Sequence, residues 1–429
     1  MASRIRLYHN DKERKTYGII IWMKFKSLTA LSYRNFRLFW FGQIISLTGT
    51  WMHSAAQGWL VFKLTNSPFY LGLVSSALSM PILLFTLAGG VLADRFFKRN
   101  IILAAQVILM LLVLILAVLV STGSVTVWHV LAISFLIGTT NAFEIPARQS
   151  FFIEMVGKEN LMNAIALNSA AFHGARMIGP TVAGIIIGGL GLAACFYINT
   201  LSFLAAIFGL LKMRFKPDEI KTFPRAGIRQ EFKDGLKYIF SNPGVYTLIL
   251  SSGIISFFGF PYVTFLPVYA RDILKTGATG LGILMGFAGA GAFTGAVSLA
   301  VRGDVSNKGI ILAASSITFS IALLIFSVST TAWLSYTMLF FVGLGAINQI
   351  ATANSLLQLM VPDELRGRVM SSFTMVFLGM STIGTFFIGS LAHYTGTQHA
   401  LQTGAGLCLF TSLLLILKKP EILKIGSRK

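Results

Sequence analysis

The sequence predicts an all-α integral membrane protein, with twelve transmembrane helices arranged as two six-helix pseudo-repeats. Three observations predict it. Mean hydropathy is +0.75, and only 12% of residues are charged against 55% hydrophobic, whereas soluble domains run near ~25% charged. Uncharged stretches come in one-helix and two-helix lengths. The basic residues fall almost wholly on alternate connections.

A spanning helix needs about 20 apolar residues. The first is expected near 37–62, after a basic N-terminal segment. The uncharged stretch 64–93 holds the second, 70–93. The stretch 100–143 is of double length, and Ser121-Thr122-Gly123-Ser124 divides it into helices near 101–121 and 127–147. Gly188-Gly189-Leu190-Gly191 likewise separates 163–188 from 192–211. The stretches 238–270 and 276–301 hold 246–269 and 278–300. Ser329-Thr330-Thr331 divides 309–362 into 309–328 and 332–357. His393-Tyr394-Thr395-Gly396-Thr397 divides 369–417 into 369–391 and 398–417.

An even helix count puts both termini on one side. Tails and connections on that side carry 31 Lys and Arg, against three on the other, Lys63, Arg271 and Lys275. The positive-inside rule then predicts a multi-pass protein of the cytoplasmic (inner) membrane with both termini cytoplasmic. The formal charge of +20 lies between hydrophobic segments rather than on a soluble face, which argues against nucleic acid as a partner. Cys195 and Cys408 sit far apart in apolar helices without metal or redox spacing, so neither a metal nor a cofactor is expected. The N-terminal apolar run is too short for a secretory leader. A natural start at Met23 would make residues 1–22 a disordered extension.

The segment 212–244 is the one long polar connection. Within it Phe232, Leu236 and Ile239 recur at helical spacing between charges, as on an amphipathic helix lying on the membrane face. It divides the chain into a cytoplasmic segment 1–35, a six-helix bundle 36–211, the linker 212–244, a second six-helix bundle 245–418 and a basic tail 419–429. The halves resemble each other. Met155-Val156 recurs as Met360-Val361, Ile178-Gly179 as Ile383-Gly384 and Gly184 as Gly389, always 205 positions on. Internal repeats of this kind belong to secondary transporters, whose substrate site lies at the repeat interface near the midplane.

After the second helix, Gly90 is followed by Asp94-Arg95 and then Lys98-Arg99. This is a tight turn with an anion at a helix end and three cations at the membrane surface. On the fifth helix, Arg176 is followed by Gly179-Pro180 and Gly184. Pro180 cannot donate to the carbonyl of residue 176, so the helix should kink there. The first of these stretches resembles the loop 2–3 signature of the major facilitator superfamily, and the second resembles the Gly-Pro motif of its exporters. Residues 30–418 as a whole resemble the branch of enterobactin-exporter-like, or transmembrane secretion effector, permeases. The text that carries this includes EIPARQSFFIEMVGKENLMNAIALNSAAF and VPDELRGRVMSSF. The resemblance implies the major facilitator fold. It also implies that Asp94 braces the two halves near Arg368–Met370, with Arg95 and Arg99 latching the same gate. The equivalent loop of the second half, Val301-Arg302-Gly303-Asp304, is degenerate. The fourth helix lacks the buried arginine of many proton-coupled drug antiporters. The first helix has His53 and Gln57 where some multidrug exporters carry an acid.

Arg176 is the one basic residue expected within the membrane, where a cation is costly and usually faces a partner or an aqueous cavity. It either clamps two helices or offers a cation to an anionic group. His173 shares its face. Glu144 lies one turn inside the end of the fourth helix with Arg148 four residues on. Burial favours its neutral form and a nearby arginine its charged form. It is either a carrier of the coupling proton or half of a static clamp. His53 and Gln57 share a face of the first helix and serve either substrate or helix–helix hydrogen bonding. Asn348 and Gln349 are further polar candidates on the tenth helix. Gly282, Gly286, Gly291 and Gly295 on the eighth read as close-packing positions.

The expected function is alternating-access export of an amphipathic or siderophore-like small molecule by a monomeric antiporter coupled to protons or another ion. A lysophospholipid or other lipid-like substrate is the alternative. A membrane-embedded enzyme is the remote one, because the six histidines are scattered. The absence of a GxxxxGK[ST] stretch argues against direct ATP drive.

Overall fold

The computed structural model of the 429-residue chain describes residues 29–214, 228–302 and 307–418. Expectations for residues 1–22, for the tail 419–429, for Gly303 and Asp304, and for much of the linker lie outside the described residues. The described chain is helical: α1 (Arg34–Thr65), α2 (Pro68–Arg95), α3 (Lys98–Ser121), α4 (Val127–Val156), α5 (Leu161–Leu190), α6 (Leu192–Lys212), α7 (Ile228–Ser241), α8 (Pro243–Phe258), α9 (Gly277–Arg302), α10 (Lys308–Val328), α11 (Ala332–Met360), α12 (Asp363–Thr395) and α13 (Thr397–Lys418). Among the described residues ten helical stretches are long and apolar enough to cross a membrane. Helices α1 and α13 are not among them, so twelve spans are not all recovered on this measure; in α1, Gln43, His53, Gln57 and several hydroxyls dilute the hydropathy.

Each expected turn falls at a helix boundary, although Gly188–Leu190 end α5 and His393–Thr395 end α12 as helix. Gly123, Gly191 and Gly396 take positive φ, the conformation that glycine adopts without a Cβ penalty. Helix α7 covers the linker stretch read as amphipathic. It packs on α12 and buries Ile239 against Val245, Leu248, Val369 and Phe373.

One element departs from expectation. In place of a continuous helix over 246–269, α8 ends at Phe258. A 3-10 turn (Phe260–Phe265), a short helical turn (Leu266–Val268) and a π turn (Tyr269–Ile273) follow. Pro261 and Pro267 account for the break, because each lacks an N–H and clashes with the preceding turn.

Helices α1–α6 pack with one another, as do α8–α13. The neighbour pairs α1/α5, α1/α6, α2/α4, α3/α4 and α3/α6 recur as α8/α12, α8/α13, α9/α11, α10/α11 and α10/α13. Two helix pairs form the main seam between the halves, α5 with α9 and α2 with α12. Exchange of the halves turns one pair into the other.

The seam is tight at the end opposite the termini. A Cβ on Gly184 would stand 2.8 Å from the Ala278 carbonyl, and one on Gly72 would stand 3.1 Å from the Gly389 Cα. Thr181 donates to the Gly282 carbonyl and Thr279 to the Gly184 carbonyl, each at 3.3 Å. Ser76 donates to the Thr382 carbonyl at 3.0 Å. Toward the terminal end the same faces separate: Met162, Leu87, Val297 and Met375 are exposed. They continue the contacting faces of α5, α2, α9 and α12 at helical spacing, so the halves form a cleft open toward the terminal end.

Candidate functional site

At the closed floor of this cleft stands Arg176. It lies on α5, roughly 20 Å of helix rise from the start of that helix. Gly179 lets α5 lie directly on α1, since a Cβ there would be 2.7 Å from the Trp51 Cβ. The contact brings the Arg176 guanidinium 5.5 Å from the centre of the Trp51 ring, a cation–π distance. From the other half, the break after α8 delivers Tyr262. Its hydroxyl is buried, lies beside Arg176 and makes no well-formed hydrogen bond. Among the described residues no carboxylate lies within ion-pair distance of Arg176.

A gap of about 10 Å³, lined by Trp51, Arg176, Val263, Leu266, Met285 and Ala288, adjoins the guanidinium. That is room for about one water. His173, one turn earlier on α5, feels the Arg176 charge, and its Nδ1 is buried without a hydrogen-bond partner. The Arg176 carbonyl, freed by Pro180, faces Gly289 of α9. Three sequence candidates thus lie together here: Arg176, His173 and the Gly179-Pro180-Gly184 stretch, which runs within the continuous helix α5. Trp51 and Tyr262 join them without having been singled out. A Gly259…Pro261 break inside an apolar run was the available signal for Tyr262.

The other candidates lie elsewhere. His53 and Gln57 do share a face, but it points into the N-terminal half. The His53 ring bonds the Gln57 side-chain carbonyl at 2.8 Å and meets the Phe196 ring of α6 edge-on. Gln57 donates to the Ser134 hydroxyl of α4 at 3.0 Å. The second half has a counterpart, with Gln349 of α11 donating to Ser252 of α8 at 3.4 Å. These are helix–helix bridges. Asn348 is buried, with its side-chain carbonyl unpartnered beside Gly295.

Glu144 is buried, and Arg148 stands 3.4 Å away as an i,i+4 ion pair. The carboxylate oxygen facing Arg148 accepts no well-formed hydrogen bond. Of the loop signature, Asp94 and Arg95 are exposed at the end of α2, and a Cβ on Gly90 would meet nothing within 4 Å. Lys98 pairs with Glu154 of α4. Arg99 donates to the Leu210 carbonyl at 2.8 Å and to the Leu211 carbonyl at 3.1 Å. In this conformation Lys98 and Arg99 therefore fasten their own half, Arg99 by capping the end of α6 where a cation complements the helix dipole. Among the described residues no group of three His, Cys, Asp or Glu side chains could hold a metal.

Comparison with known proteins agrees with this architecture. The profile of the transmembrane secretion effector family matches residues 25–425. The staphyloferrin A transporter of Staphylococcus aureus is 24% identical over 364 residues, covering 84% of this chain and 90% of its own. The enterobactin exporter of Shigella boydii is 24% identical over 389 residues, covering 89% and 91%. In fold, the crystal structure of a nucleoside transporter superposes with a TM-score of 0.72 at 11% identity, covering 89% of this chain and 98% of that one. With a match over nearly its whole length, the chain belongs to the transmembrane secretion effector family, transporters of the major facilitator superfamily and not enzymes.

Proposed function

We propose that the chain is a secondary exporter of an amphipathic, siderophore-like small molecule, working by alternating access between its two six-helix halves. The observation that carries this is the position of Arg176. It is a membrane-depth cation with no carboxylate partner among the described residues, set where both halves meet and where the cleft ends. Intramembrane charges of this kind mark substrate pathways. The relatives' names, a staphyloferrin A transporter and an enterobactin exporter, support the substrate class and, for the latter, the direction.

In this reading α1 and α13 complete a set of twelve spans, and the cationic bias of the terminal face places it in the cytoplasm. The cleft is then open inward. Export would proceed by parting the seams at Gly184/Ala278 and Gly72/Gly389 while the Asp94 end closes toward α12. Glu144, buried beside a single arginine, is the carboxyl we assign to proton coupling.

The test is efflux from proteoliposomes loaded with staphyloferrin A or enterobactin, with and without an inwardly directed proton gradient. Gradient-accelerated efflux is expected. Glu144→Gln should abolish the acceleration while leaving substrate exchange at equal concentrations. Efflux indifferent to every ion gradient would sink secondary transport, and full acceleration in Glu144→Gln would sink the role of Glu144.

A further inference from the structure

We infer that Arg176 and Tyr262 together form a carboxylate-binding point for the transported molecule, with Trp51 packing the apolar part next to that carboxylate. The inference rests on the export reading above and sharpens it, because it names the charge and shape of the group held at the centre.

Donors outnumber acceptors here. A guanidinium offers five N–H donors in a planar fork, and the partners that the structure gives Arg176 are the Trp51 ring face and the neighbouring Tyr262 hydroxyl. A ring face satisfies the charge in part and none of the hydrogen-bonding fork. The Tyr262 hydroxyl is 1% exposed by residue and touches the Arg176 guanidinium without a well-formed hydrogen bond, so its own O–H is left without an acceptor, an expensive condition for a buried polar group. An acceptor carrying negative charge between them would satisfy both at once.

A clamp on a neighbouring helix is the competing account. A clamping arginine would be expected to spend its fork on backbone carbonyls, as Arg99 does on Leu210 and Leu211. Among the described residues Arg176 makes no such bond to a backbone carbonyl.

The gap beside the guanidinium, about 10 Å³, has room for one acceptor oxygen. A planar fork matches carboxylate and phosphate alike, and among apolar walls the singly charged carboxylate costs less to strip of water. The remaining lining, Val263, Leu266, Met285 and Ala288, is apolar, so the atoms attached to that carboxylate should be hydrocarbon or aromatic.

The geometry also links binding to the cycle. Trp51 and Arg176 come from one half, Tyr262 and Met285 from the other. A carboxylate gripped by Arg176 and Tyr262 ties the halves together at the level where the closed seam begins. Parting that seam would withdraw Tyr262 and loosen the grip, so the two conformations would bind the anion with different affinity, which is the condition for a ligand to shift the equilibrium between them.

The experiment is thermal stabilisation of the purified full chain by a matched set of probes: 1-naphthylacetate, its neutral amide, the cationic 1-naphthylethylamine and inorganic phosphate. The carboxylate should stabilise the protein and the other three should not. Arg176→Gln should weaken the carboxylate roughly ten- to a hundredfold, the loss expected for a charge-assisted pair. Arg176→Lys should fall between, and Tyr262→Phe should cost about three- to tenfold. Equal stabilisation by the amide, preference for phosphate, or no response to any probe overturns the inference. If Arg176→Gln does not fold, the Tyr262→Phe result decides, and an unchanged affinity there also overturns it. No gradient is needed for this measurement, so Arg176-dependent carboxylate binding in a protein that fails the efflux test would sink only the export reading.

Discussion

Arg271 donates a 2.7 Å hydrogen bond to Asn66 across the seam, and the two residues stand 205 positions apart in the chain. The same interval relates Gly184 to Gly389, which pack on the opposite halves at Ala278 and Gly72. Equivalent positions of a two-fold arrangement can touch only where the axis passes between them. The Arg271–Asn66 pair therefore marks the pseudo-two-fold axis at the end opposite the termini. Arg271 also donates to the Phe62 carbonyl at 3.2 Å, with its guanidinium 3.8 Å over the Phe62 ring.

This pair should act as a latch that favours the closed end. Asn66→Gly is the clean variant. Asn66 ends α1 at φ 49°, a left-handed cap that glycine adopts freely, so the turn survives while the acceptor is lost. Both partners are partly exposed, so the effect should be about 1 kcal/mol. Maleimide labelling of a cysteine placed at Phe69, applied from the closed face, should rise several-fold in Asn66→Gly and in Arg271→Gln. Unchanged labelling in both would show that the latch carries no energy.

The glycine seam should tolerate no side chain. At Gly184 a Cβ would press on the Ala278 carbonyl at 2.8 Å, and that carbonyl belongs to helix backbone that cannot step aside. Overpacking of this kind costs typically 1–3 kcal/mol, and here the cost falls on the closed conformation alone. Gly184→Leu should therefore fold yet hold the seam apart. Spin labels on α5 and α9 should report a longer distance, with transport reduced at least tenfold. A normal distance distribution would mean that the helices can slide around the added side chain.

Arg99 tests whether a cation in the loop signature serves the gate or its own half. Its two bonds to the last carbonyls of α6 predict that Arg99→Ala lowers the thermal stability of the protein by about 1–2 kcal/mol. The balance between inward and outward conformations should be little changed. A shift in that balance without loss of stability would return Arg99 to the gate.

Much of the fold could be read from charge alone, because every charge-free stretch had to be one helix or two. The repeat was legible for the same reason that it works, since Gly184 and Gly389 are needed where backbones touch. The faces of the helices were not legible. Lipid and protein interior are equally apolar, so burial leaves little pattern in a membrane helix. His53 and Gln57 could be put on one face, but nothing in their spacing said that the face looks toward Phe196 and Ser134 rather than into the cleft. Trp51 and Tyr262 were hidden among many aromatic residues for the same reason. Arg176 stood out because charge is the one property that the bilayer does not conceal.

The break after α8 leads to the last prediction. Pro261 sits at the start of the 3-10 turn Phe260–Phe265, and this turn carries Tyr262 to Arg176. Irregular backbone at membrane depth persists where it is buried in protein or lines a cavity, and here Tyr262 and Phe265 are buried. Pro261→Ala restores an N–H and removes the ring clash, which favours continuing α8 as a regular helix. Each residue rewound from 3-10 to α geometry turns the side chains by roughly 20° and shortens the segment by about 0.5 Å, so Tyr262 should swing away from the guanidinium. The variant should be at least as stable as the parent, yet should bind 1-naphthylacetate no better than Tyr262→Phe. Weaker binding combined with undiminished stability would mark the break as a functional irregularity. Unchanged binding would mean that the neighbouring packing, and not the proline, holds Tyr262 in place.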